Sequence, residues 1–182
     1  MSNSNKRRVF LTLHHRDELS LSKNRRRLGH ASYHWGILIT PKRSKGRDCY
    51  AYDVTNAVDP DPFTRIERNP DYEWRFRHKD NVDPMISGSL LGRILIGKVP
   101  HGISHKEIQA ILEEVLVPRK NMRPEENCVT WTRGAIRKLQ RTGLVEQFDV
   151  KRFMDDALKF ANGRLGDPGG TVNIINYTRR PM

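Results

Sequence analysis

Apolar and polar residues alternate in "RRVFLTLHH" (7–15), with Val9, Leu11 and Leu13 two apart, which predicts a β-strand. The run "YHWGILIT" (33–40) is almost unbroken in its apolar character, so it reads as a central strand covered on both faces and ended by Pro41. "KRSKGR" (42–47) follows as a basic turn around Gly46, and "DCYAYDVT" (48–55) as the next strand. After a Pro- and Asp-rich loop, "YEWRFRH" (72–78) alternates aromatic with charged residues, the pattern of a half-exposed strand. "SLLGRILIGKV" (89–99) predicts a further strand, closed by Pro100. Helical spacing then takes over. "SHKE" (104–107) is a capping box in which Ser104 and Glu107 exchange bonds with the first free amides. Ile108, Ile111, Leu112 and Val115 line the face behind it.

A second helix is predicted from about Asn127, with Cys128, Trp131, Ala135 and Leu139 on one side and Gly143 as its stop. A third runs over 149–161 with Phe153, Ala157 and Phe160 inward, and Asn162–Gly163 closes it. Residues 16–31 carry no apolar period and read as a mobile basic loop. The tail from about 164 reads as flexible, with an edge strand at 171–177. Strands first and helices after predict a single α+β domain over 1–182, an antiparallel sheet of about five strands packed against helices.

Composition narrows this picture. A chain of 182 residues suits one core, and no apolar run approaches the roughly 20 residues that span a bilayer. The N-terminus lacks the apolar segment of a secretory signal, so a cytoplasmic protein is expected; "KNRRR" (23–27) also reads as a nuclear signal. Two cysteines, Cys49 and Cys128, make no disulfide framework, and no CxxC or paired-His spacing predicts a metal site. His14 and His15 are adjacent, so they point to opposite sides of a strand. With no Gly-rich phosphate loop, no cofactor is expected.

The net charge of +12 is concentrated at the front: residues 1–47 hold 12 Lys/Arg against 2 Asp/Glu. Such a local excess attracts polyanions, and it is equally the mark of a solubilising or targeting segment. Arg25, Arg26, Arg27, Lys42, Arg43, Lys45 and Arg47 are the candidate phosphate contacts. Arg133, Arg137 and Arg141 recur every fourth residue on the helix face away from Trp131, where they either extend that surface or form a solvated face.

Cys128 is the candidate nucleophile. In a first helical turn a cysteine meets free amides and the positive end of the helix dipole, both of which favour a thiolate. Buried cysteine is also a common small core residue. His34 opens the central strand, where its ring can serve as base to a thiol at the sheet end or sit bonded to backbone in the core. Asp53, in the neighbouring predicted strand, can orient that ring or bond locally to the amide of Thr55. The Asn127 side chain and the amides beside it are candidates for holding an oxyanion.

"YHWGILI" followed much later by "NCVTW" resembles the histidine and cysteine motifs of the permuted papain-like superfamily, which includes the lecithin retinol acyltransferase-like thiol enzymes. The resemblance implies a permuted papain-like fold, His34 as base, Cys128 as nucleophile at a helix N-terminus and Asp53 as orienting residue. The layout, with "GRILIGKV", also resembles a family of uncharacterised fungal proteins over most of 7–142, and departs from it in the basic segment 16–47 and at Asp53. In size and basicity the chain is similar to fungal arginine-containing cyclodipeptide synthases. That likeness implies that Cys128 takes an arginyl group from Arg-tRNA and passes it to a second aminoacyl-tRNA, with a diketopiperazine as product. Glu113, Glu114, Asp155 and Asp156 are the acidic candidates to recognise a basic substrate. Two other readings stay open: a cytosolic papain-like thiol hydrolase, and a non-catalytic RNA-binding module in which Cys128 and His34 are core residues.

Overall fold

The computed structural model describes residues 6–167, 169 and 173–182. Its sheet is built from β1 (Arg8–His15), β2 (Tyr33–Thr40), β3 (Cys49–Thr55), β4 (Arg75–Val82), β5 (Leu90–Lys98) and β6 (Ile174–Asn176). Their spatial order is β4-β3-β2-β1-β5-β6. Every pairing is antiparallel except the last, β5 with β6, which is parallel. Four helices accompany it: α1 (Ser22–Leu28), α2 (His105–Glu113), α3 (Cys128–Arg141) and α4 (Val150–Gly166). The architecture is therefore α+β with a mixed six-stranded sheet.

The period-two pattern decides which face each residue serves. Val9, Leu11, Leu13, Tyr33, Trp35, Ile37, Ile39, Tyr52, Val54, Ile94 and Ile96 point to one side, where they form the main core with Ile108, Leu112, Trp131, Ala135, Leu139, Phe153 and Ala157 of the helices. The intervening residues Phe10, Leu38, Cys49 and Leu95 form a smaller cluster on the other side, with Ala51, Val82 and Ile174 against it. β2 is thus apolar along both faces because helices lie over one and a partly filled groove over the other.

Local signals account for the helix starts. In the capping box of α2 the Glu107 amide donates to Ser104 Oγ at 3.1 Å and the Ser104 amide to Glu107 Oε2 at 2.7 Å. α3 begins where Asn127 Oδ1 accepts the Val129 amide at 2.9 Å and Thr130 Oγ1 accepts the Asn127 amide at 3.3 Å. Asp149 caps α4 by accepting the Arg152 amide at 2.7 Å.

The fold departs from the sequence reading in four places. The 16–31 segment, read as a mobile loop, holds a 3-10 turn (Asp17–Ser20), α1 and a second 3-10 turn (Gly29–Ser32). Side chains bonded to backbone organise it: the Arg16 guanidinium donates to Ala31 O at 2.7 Å, Ser20 Oγ to Ser32 O at 2.6 Å and Trp35 Nε1 to His30 O at 2.8 Å. α1 buries no residue, so it shows no apolar period. β4 starts at Arg75 rather than 72, since Tyr72 takes a left-handed turn conformation at φ 52°. α4 continues through Asn162 and Gly163 to Gly166, where Arg164 Nε bonds Leu91 O at 3.0 Å. The tail, read as flexible, returns as β6 over Ile174–Asn176, which adds a sixth, parallel strand; residues 171 and 172 of the predicted edge strand lie outside the described residues.

Gly97 on β5 lies against the backbone that leaves α3: a Cβ there would overlap Leu144 O and come within 2.8 Å of Val145 Cα. Gly97→Ala is expected to lower stability by about 1–3 kcal/mol, because backbone must shift. Gly163→Ala, in an exposed helical turn with nothing within 4 Å, is expected to raise it by about 0.5–1 kcal/mol. Denaturant unfolding of the two variants checks the pair.

Candidate active site

Strand alternation puts His14, His34, Asp53 and Arg77 on the sheet face turned away from the main core, since each follows or precedes a core residue on its own strand. His14 and His34 are direct cross-strand partners, as are Asp53 and Arg77. The four residues form a row across β1, β2, β3 and β4. His34 Nε2 and Asp53 Oδ2 are 2.9 Å apart. Arg77 grips the same carboxylate with both arms of its fork, Nε to Oδ1 at 2.8 Å and a terminal nitrogen to Oδ2 at 2.7 Å. Gly36 gives this link its room, because a Cβ there would stand 3.1 Å from Thr12 Oγ1 and 3.2 Å from Tyr52 O.

Cys128 is the first residue of α3, immediately after the Asn127 cap. It is only 2% exposed, and its Sγ lies 3.8 Å from Tyr33 O, the carbonyl just before His34. Burial by itself would push the His34 ring down. Hydrogen bonds to Asp53 and to the Cys128 sulfur, with electrostatic attraction toward both, overcome it and hold the ring at about 9. Burial likewise opposes ionisation of Asp53, but bonds from His34 and Arg77 hold it at about 2. Those bonds keep the Arg77 guanidinium above its ordinary value.

The structure brings Cys128, His34 and Asp53 to one place. Asn127 stands beside them, but its carbonyl oxygen serves as the helix cap, which ties up the Val129 amide as well. Two residues escaped the sequence reading. Arg77 was legible only as one of several charges alternating with aromatics, and its inward direction depends on where β4 begins. His14 was read as half of an adjacent pair, whereas its neighbour is His34, with ring centroids 6.1 Å apart. Burial and then the positive charge of His34 drive the His14 ring down to about 4, against the pull of Asp53, while its Nδ1 meets Ser89 Oγ at 3.2 Å. Cys49 is fully buried, and burial pushes its thiol up to about 11, the character of a structural cysteine.

The candidate phosphate contacts do not form one surface. Arg25, Arg26 and Arg27 sit in the last turn of α1, near the Tyr33 end of β2, the end that holds Cys128. Tyr33 also bonds Asn162 Oδ1 at 2.7 Å there, and Arg25 acts on its hydroxyl. Lys42, Arg43, Lys45 and Arg47 lie beyond Thr40, at the far end of a strand of eight residues, on the order of 25 Å away. Arg137 is exposed on α3, but Arg133 is half-buried with its Nε enclosed and acts on His30, so it does not belong to an open basic face. Of the acidic candidates, Glu114 pairs with Lys138, Asp155 with His30 at 3.1 Å, and Asp156 with Lys159 at 3.5 Å. None of the four lines the groove beside His34, which has a volume of about 580 Å³. Among the described residues no group of three His, Cys, Asp or Glu is placed to hold a metal, and no helix is long and apolar enough to cross a membrane.

Residues 6–164 match the protein family described as "Family of unknown function (DUF6914)". The chain belongs to this family. No curated protein and no solved structure matches it.

The row of charges fixes the pH dependence of folding. His34, raised above its unfolded value of about 6.5, stabilises the fold below that value, and its contribution is lost as pH rises through about 9. Asp53, depressed, contributes above about 3.8 and is lost as pH falls through about 2. His14 is depressed as a base, so the unfolded chain takes up its proton first and stability falls between about 6.5 and 4. Thermal melts across pH are expected to show one decline as pH rises from 6.5 to 9 and another as it falls from 6.5 to 4. His14→Gln flattens the second and leaves the first.

Proposed function

We propose that this chain is a thiol-dependent acyltransferase, with Cys128 as nucleophile, His34 as its proton partner and Asp53 as the residue that positions His34. The observation that carries the reading is the His34–Asp53–Arg77 chain, with the cysteine of the α3 start acting on the same imidazole. The sequence resemblance to permuted papain-like enzymes supports the same roles and the same permuted fold.

The chemistry follows from these charges. A ring held at about 9 is protonated at neutral pH, so His34 can stand as the imidazolium of a thiolate–imidazolium pair, the form in which a cysteine attacks. The sulfur attacks the carbonyl of an ester, thioester or amide, forming the C–S bond of a tetrahedral intermediate. The Cys128 amide, at the positive end of α3, faces the developing oxyanion. As the carbon–leaving group bond breaks, His34 delivers its proton to the departing atom. The acyl thioester then passes to an amine or alcohol, whose proton returns to His34. Passage to water instead makes the enzyme a hydrolase, and the two share every step up to the thioester.

For the acyl donor we propose an aminoacyl-tRNA. An ester on a polyanion suits a thiol beside the three arginines of α1, and the likeness to cyclodipeptide synthases points the same way. The acidic candidates for an arginyl side chain are engaged elsewhere or lie off the groove.

The test is direct. Wild-type protein mixed with a set of aminoacyl-tRNAs is expected to gain an aminoacyl mass on Cys128 and to release a diketopiperazine. Cys128→Ala is expected to lose both, and Arg25, Arg26 and Arg27 changed together to Gln to lose acylation from tRNA but keep acylation from a small thioester. Wild-type turnover by Cys128→Ala, or alkylation by iodoacetamide at Cys49 in preference to Cys128, would overturn the reading. Asp53→Asn removes a bond and a charge that raise His34, so the basic limb of the acylation profile, expected near pH 9, moves toward neutrality. An unmoved limb assigns Asp53 a purely structural role.

A further inference from the structure

The open face of the sheet carries a feature that the acyl-transfer chemistry does not use. The groove of about 580 Å³ begins at His34 and runs along β2 past Gly36 to Leu38, under a wall supplied by the segment between β4 and β5. Its volume is in the range that holds a nucleotide-sized ligand. Its floor stays deep because Thr12, Gly36 and Ala51 are small.

Besides Arg77, two cations line its length, Lys79 and Arg47. Leu38 pairs with Ala51, and Ala51 with Lys79, so these three form one row across β2, β3 and β4. That row is four residues from His34 along the strand, about 13 Å. Arg47 stands on the turn that enters β3 at the same end. Neither makes an ion pair or a side-chain hydrogen bond among the described residues, and both are exposed. Arg77, by contrast, is committed to Asp53. The other carboxylate in the groove, Asp83, uses Oδ1 to accept the Met85 amide at 2.9 Å. Between the cations and the imidazoles the lining is partly apolar, with Leu38, Val82 and Ile86.

We propose that this groove is a binding site for a phosphate-bearing, nucleotide-sized group, with its phosphate held by Lys79 and Arg47 and its body lying over the small-residue floor toward His34. Phosphate is the chemistry that two unpaired cations at one end of a partly apolar slot recognise, by charge-assisted hydrogen bonds. The group is either a free nucleotide or the end of an RNA chain, since both present the same phosphate and the same body. The site stands without any chemistry at Cys128.

Calorimetric titration of the full chain with AMP, adenosine and a short single-stranded RNA tests it. AMP is expected to bind roughly ten-fold or more tightly than adenosine, the worth of one or two charge-assisted bonds. Lys79→Gln and Arg47→Gln are each expected to erase most of that difference while leaving adenosine unaffected. Lys151→Gln, exposed on α4, serves as the control and is expected to change nothing. RNA binding tighter than AMP assigns the groove to a chain end, and equal binding to a free nucleotide. AMP and adenosine binding alike, no binding of either, or an equal loss in Lys151→Gln would each overturn the site. Cys128→Ala is expected to bind as the wild type does, so a failed acylation assay with intact AMP binding sinks the enzyme reading and spares this one.

Discussion

Three charged side chains, linked end to end, organise one face of this protein. Arg77 holds Asp53, and Asp53 holds His34, across β4, β3 and β2. Asp53 and His34 are largely withdrawn from water, so each needs its partner to remain ionised. Removing either end leaves a charge uncompensated in a poorly hydrated site, which costs far more than the pair contributes when intact. The chain also pins register: a one-residue slip of β3 or β4 would turn Asp53 or Arg77 into the main core, among Tyr52, Val54 and Phe76.

That constraint divides labour between the two faces. The helices cover one side and supply most of the apolar burial, from Trp35 to Ala157. The other side is free to remain small and polar at Thr12, Gly36 and Ala51, so its concavity is a property of backbone and tiny side chains rather than of loops that can swing. Cys128 joins the two halves. It belongs to the packed helical layer by burial and to the polar row by its action on His34.

Much of this was legible from residue order. The caps at Ser104 and Asn127 announce α2 and α3, and the apolar run at 33–40 announces the central strand, because in each case a local pattern determines the structure. His34 and Asp53 were separable as candidates since both interrupt otherwise apolar strands. What remained hidden is non-local. Whether Arg75, Arg77 or Lys79 faces the histidine depends on a strand start set by the turn at Tyr72. α1 escaped because bonds from Arg16 and Ser20 to backbone hold its flanks, and no periodicity marks such bonds. The basic residues read as one patch are split because β2 runs its full length between them.

β6 lies along β5 and takes up the exposed side of that strand, which leaves β4 as the sheet's free margin among the described residues. That margin reads RFRHKDNV, the most heavily charged strand of the six, and its residues 78–81 are exposed. Unpaired amides and carbonyls on a sheet border invite another chain to zip alongside, and dense charge, lysine above all, is how such a border discourages it. A second copy approaching there brings one net positive strand against another. The arrangement predisposes the protein to stay dispersed in concentrated solution despite a β-rich centre.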